Sequence, residues 1–146
     1  MNTQTGYGRG SAPRRLGLAL ITGALGAAVV ALASPAAAEP AVTRLGATPD
    51  MNFGMATNYG TGCNYTLQAF VSDPSAPVVF YDNGEILGVA KPTGAYAVFP
   101  WVPTTPGHHT LAAVQSGQPA ALPPATLDLP VGFGVHLGYG CNVFGG

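Results

Sequence analysis

The side chains able to do chemistry in this sequence are few, and their spacing argues against an active site. His108 and His109 are adjacent, and His136 lies farther on. Imidazole nitrogens can hold a transition metal, but neighbours on an extended strand point to opposite faces. His109 therefore joins Leu111 and Ala113 on an apolar face, as a hydrogen-bonded core residue, while His108 faces solvent. Serine catalysis needs a base and an orienting third group. Ser72, Ser75 and Ser116 lie in no G-x-S-x-G elbow. Asp82 and Glu85 could be a glycosidase-like carboxylate pair, but they flank Asn83-Gly84, where turn chemistry and a solvated strand edge account for both. Cys63 and Cys141 lack the C-x-x-C spacing of a metal site. The reading is of no catalytic residue, no metal ligand and no cofactor.

A leader segment assigns the cysteines a different role. Arg9, Arg14 and Arg15 precede an apolar stretch from Leu16 to Ala33, and Ser34-Pro35-Ala36-Ala37-Ala38 ends in small residues. That is the layout of a secretory signal peptide over residues 1–38, cut after Ala38. The domain is then residues 39–146. Export carries both cysteines to an oxidising compartment, where a Cys63–Cys141 disulfide is the expected state. The product is secreted or extracellular, with envelope association as the alternative destination.

Composition narrows the partners. The chain is 47% hydrophobic and 8% charged, with a formal net charge of −1, which excludes a coiled coil and a basic nucleic-acid binder. After residue 38, Arg44 and Lys91 face Glu39, Asp50, Asp73, Asp82, Glu85 and Asp128. That balance of two cations against six acids repels a phosphate backbone and anionic lipid alike. The expectation is no nucleic-acid partner and no membrane insertion once the leader is gone.

The elements that must position these residues have period two. Cys63, Tyr65, Leu67, Ala69 and Val71 form one face of a strand, and Val78–Tyr81 is an apolar run ending at a tight Asp82-Asn83-Gly84 turn. Glu85–Ala90 resumes extended. Ala97, Phe99 and Trp101 share a face, and Pro100 opposite them marks a free strand edge. Residues 116–130, with four prolines, read as a long connection. A weaker first strand falls between Val42 and Ala56. The last strand runs from Val131 to Cys141, with Phe133, Val135, Leu137 and Tyr139 alternating with Gly132, Gly134, His136, Gly138 and Gly140. The fold class is all-β, a β-sandwich of about seven strands, with an eight-stranded barrel as the competitor, for which the strands are too few. Its predicted core is Tyr65, Leu67, Phe99, Trp101, Leu111, Phe133 and Val135.

That polarity gives the last strand a possible binding surface at Gly132, Gly134, His136 and Gly138. A glycine row outside the core would be a smooth shelf of exposed backbone, open to a partner strand. The stretch Met51–Gly60, rich in Met and aromatics, reads as a strand covering the core or as an adaptable contact loop.

Residues 78–88, Val-Val-Phe-Tyr-Asp-Asn-Gly-Glu-Ile-Leu-Gly, resemble the middle of a bacterial immunoglobulin-like repeat domain. Ala97, Phe99, Trp101, Pro103, Gly107, His109, Thr110, Leu111, Ala113 and Gly117 extend the resemblance. It covers residues 63–117 well and 118–141 by pattern alone. The tandem copies usual in the family, however, are absent from this sequence. The resemblance implies an immunoglobulin-like β-sandwich from a secreted or surface bacterial protein, acting as a spacer, adhesive or binding module with no catalytic residues to carry over. The expected function is a non-enzymatic binding or adhesion module for an unidentified protein or envelope component. A structural envelope protein and a secreted hydrolase inhibitor are the alternatives.

Overall fold

The structure is a computed structural model, and it describes residues 38–146. The expected signal peptide lies, but for Ala38, outside the described residues. Among the described residues the regular elements are ten strands and no helix.

Seven strands build two packed sheets. β1 (Val42–Pro49), β3 (Tyr65–Val71) and β6 (Tyr96–Trp101) form one, in the order β1-β3-β6. β4 (Val78–Asp82), β5 (Glu85–Ala90), β7 (Gly107–Gln115) and β8 (Ala125–Val131) form the other, in the order β5-β4-β7-β8. All neighbours within these two sheets are antiparallel. The first, second and fifth sandwich strands thus face the third, fourth, sixth and seventh. That is an immunoglobulin-like partition in which the fourth strand joins the second sheet.

Alternation explains the packing. Tyr65, Leu67 and Ala69 of β3 are buried, as are Ala97 and Trp101 of β6. They meet Val78 and Phe80 of β4, Leu111 and Ala113 of β7, and Leu129 and Val131 of β8. Phe99 is half-buried and stacks on Phe80 across the layers at 5.3 Å between ring centres. Each large side chain withdrawn from water contributes roughly 1.5–3 kcal/mol. The β4–β5 hairpin closes through Asn83 and Gly84, both at positive φ (50° and 86°), the backbone a two-residue type I′ turn requires.

Pro100 is tolerated because β6 is an outer strand. Residues 116–130 are not one long connection, since β8 occupies Ala125–Val131. Leu127, Leu129 and Val131 turn toward β7 and β1 while Thr126, Asp128 and Pro130 face solvent. Pro130 fits because β8 is also an edge strand, so a proline-rich stretch hid a period-two signal.

The expected last strand from Val131 to Cys141 is also broken. β9 (Phe133–Leu137) and β10 (Gly140–Phe144) are antiparallel partners joined by a turn in which Gly138 has φ +67°. β2 (Asn52–Gly54) pairs with β10 in parallel, giving a third sheet ordered β2-β10-β9. This small sheet lies against the sandwich end where Tyr59, Tyr65 and Trp101 cluster.

Candidate functional site

The third sheet has an inner and an outer face, set by which residues can tolerate the space beneath it. Cys141 and Val143 of β10 point inward and are buried. Cys141 is bonded to Cys63, just ahead of β3, with Cα atoms 5.9 Å apart. The bridge fastens the middle of the third sheet to the sandwich. Gly134 lies directly over it. A Cβ on Gly134 would run into the Thr61 carbonyl and the Cys63 sulfur, and would come within 3.2 Å of the Cys141 sulfur. Gly132 has the same constraint from the Phe144 and Gly145 carbonyls, and Gly60 from Val143. Only hydrogen fits at these positions, so Gly132 and Gly134 lie on the inner side.

The polarity expected for β9 is therefore reversed. Phe133 and Val135 do not belong to the core: they are 62% and 46% exposed. Leucine 137, by parity, faces outward with them. Gly132 is buried and Gly134 half-buried, so these two are no partner-facing shelf. Gly138 is exposed in the hairpin turn, and the exposed His136 donates from Nε2 to the Gly62 carbonyl at 2.7 Å, at the sheet's rim. The physical reason is close approach: the strand rests on backbone and disulfide sulfur, which leaves no depth for a phenylalanine.

The outer face is correspondingly apolar. Phe144 pairs in register with Phe133, and Asn142 sits between Val135 and Phe53. Phe53, Met55, Leu137 and Phe144 are all exposed. Along the β2 and β10 side runs a shallow trough of about 440 Å³, lined by Phe53, Met55, Asn142 and Phe144 among others. The Met51–Gly60 stretch thus splits its role: Asn52 is buried, while Met51, Phe53 and Met55 project outward.

Loops cover part of each edge of the sheet. The Gly132 amide donates to the Tyr59 carbonyl (2.8 Å), and the Thr61 amide to the Gly132 carbonyl (3.0 Å). The Gly134 amide reaches the Thr61 hydroxyl at 3.3 Å. On the other edge the Gly54 amide donates to Asn58 Oδ1. The 57–62 loop that supplies most of these bonds is anchored by two phenols. Tyr65 takes the Gly60 amide and donates to the Asn58 carbonyl, while Tyr59 donates to the Ala47 carbonyl. Burial pushes both phenols above their ordinary pKa.

A second polar cluster lies in the sandwich. Asp82 accepts from Trp101 Nε1 at 2.9 Å and lies 2.8 Å from His109 Nδ1. His109 Nε2 faces the Thr105 carbonyl at 2.9 Å and the Thr105 hydroxyl at 3.4 Å. The His109 ring is buried and engaged on both nitrogens, so the cluster latches the loop before β7 onto the end of β4. Asp82 thereby does more than shape a turn. Its partners lie 19 and 27 residues away, beyond any local pattern. Ser72 donates to the Glu39 carbonyl and Ser75 to Asp73, so both fasten loops. Among the described residues no group of three His, Cys, Asp or Glu side chains is placed to hold a metal ion.

No family model matches the chain. No curated protein matches it. Among solved structures the chain is similar to the CARDB domain of a Pyrococcus furiosus protein. Against its solution NMR structure the identity is 19% and the TM-score 0.40, over 63% of this chain and 94% of that one. Against the crystal structure of that domain in complex with di-metal ions, the identity is 21% and the TM-score 0.37, over 60% and 86%.

Proposed function

We propose that the chain is an exported, non-enzymatic binding or adhesion module that engages its partner through the outer face of the β2-β10-β9 sheet. One observation carries this reading: Phe53, Phe133, Val135, Leu137 and Phe144 are exposed on one face of the sheet, with Met55 exposed just past β2. Contiguous apolar patches larger than a few hundred Å² are rare on soluble monomers, and such patches often mark contact sites. The buried disulfide and the leader support an oxidising destination. The resemblance of residues 63–117 to bacterial immunoglobulin-like repeats supports a binding role on the cell surface or beyond it.

The test is partition. The full chain is expressed in a secreting bacterial host, and the product is measured in the envelope fraction and the medium. The wild type is expected in the envelope fraction, with an intact mass corresponding to a cut after Ala38. Phe133→Ser, which removes an outward ring, is expected to move the protein into the medium without lowering its melting temperature. Equal partition of the two, in a protein that also binds no second copy through this face, overturns the reading.

A further inference from the structure

We infer that the partner of this face is a second copy of the same chain, packed face to face about a two-fold axis that runs along β10. The inference rests on the reading of the third sheet as a binding face and names its occupant.

Charge is the first argument. Residues 51–72 and 129–146 supply all three strands and the 57–62 loop, and they contain no Asp, Glu, Lys or Arg. A charged peptide or an anionic headgroup finds no counter-ion here. A second copy presents the same uncharged surface. Shape is the second. Loops cover part of both edges, and the outer face is the broadest surface left open to a partner. β9 raises a ridge of Phe133, Val135 and Leu137 along one side, and the trough beside Phe53 and Phe144 runs along the other. A two-fold axis along the central strand exchanges the two sides and sets each ridge over the facing trough. An isologous contact requires this self-complementarity.

Asn142 is the third argument. It projects outward from the central strand, amid apolar neighbours. The axis brings it opposite its counterpart, where an amide supplies both donor and acceptor to its own kind. Area is the fourth. Six exposed side chains at about 100 Å² each, with their rims, approach the roughly 800 Å² per partner of a standard interface.

Residues 38–146 hold their own core, so the test uses the 39–146 domain. Sedimentation equilibrium from about 1 µM to about 500 µM is expected to show a monomer–dimer equilibrium with a micromolar dissociation constant. Asn142→Asp sets two carboxylates face to face. It is expected to weaken the dimer about 30-fold or more at neutral pH and to restore it when acid neutralises the pair. Phe133→Ser is expected to weaken it comparably, and Val98→Asp on the outside of β6 to leave it unchanged. Circular dichroism melts confirm that each variant folds.

A monomer at every concentration, or a dimer indifferent to both Asn142→Asp and Phe133→Ser, overturns the inference. If the monomer also shows Phe133-dependent envelope retention, the copy falls and the binding face stands. If that retention extends to phosphatidylcholine vesicles, the occupant is lipid. A monomer with no Phe133-dependent retention removes both readings.

Discussion

The sandwich and the third sheet use the same alternation to opposite ends. In β3, odd-numbered Tyr65, Leu67 and Ala69 go in and the residues between them go out. In β9, odd-numbered Phe133 and Val135 go out and glycine goes in. Side chains fill the sandwich because its sheets are spaced for them, at roughly 10 Å in such packings. The third sheet rests on carbonyl oxygens and a sulfur bridge, a gap without room for a methyl group. Which face of a strand is inner is decided by the depth of the layer beneath it, and not by which residues are apolar.

The sharpest way to break this contrast is to cut the bridge that holds the two regions together. Replacing Cys63 and Cys141 with Ser removes a cross-link closing a 78-residue separation, with an expected loss of about 4–5 kcal/mol on the chain-entropy account. Urea denaturation reads it. Protection of β9 and β10 amides from exchange should fall first, because Cys141 is central in their sheet. Equal loss of protection in β3 and β7 would mean the two regions are one cooperative unit.

A matched pair of truncations comes next. Phe80→Ala in the sandwich should cost about 4 kcal/mol, since it empties a fully buried site. Phe133→Ala in the third sheet should stay within about 0.5 kcal/mol. Calorimetric melts compare them, and similar costs would show that Phe133 supports the fold.

A smaller effect separates the glycines. Gly134→Ala should destabilise by about 2 kcal/mol, because its new methyl group meets Thr61 and the disulfide. Gly46→Ala in β1 has nothing within 4 Å of its Cβ and should change stability little. Denaturant midpoints decide whether the inner glycines are there for space.

The smallest expected effect concerns pH. Tyr59 and Tyr65 are held above their ordinary value near 10 by burial, so the folded state keeps their protons longer than the unfolded chain does. Their contribution is complete below about pH 10 and is lost as pH rises through the shifted values. Urea midpoints from about pH 8 to about pH 11 should fall, and Tyr65→Phe should flatten the fall. A midpoint that rises over that range contradicts the anchoring role given to these phenols.

Much of the sandwich was legible in the sequence. The Cys63–Val71 face, the Asn83-Gly84 turn and the Phe99–Trp101 side all follow from period two and turn chemistry, which are local. β8 was hidden because prolines mark connections in general and edge strands only in context. The third sheet was hidden for a different reason. Alternation fixes which residues share a face but not which face is covered, and Phe133 and Val135 satisfy either choice. The contacts that decide it, Gly134 over Cys63 and Gly60 beside Gly132, span about 70 residues. The Asp82–His109–Trp101 latch is invisible for the same reason: its spacing is set by the sandwich and by nothing in the local chain.

A floor of bare peptide under β9 has a consequence for descent. Where a surface is propped up by side chains, altering its specificity disturbs its foundations. Here the outward letters at 133, 135, 137, 142 and 144 can be rewritten one by one while the joists stay untouched, so this surface is free to diverge faster than the fold that carries it.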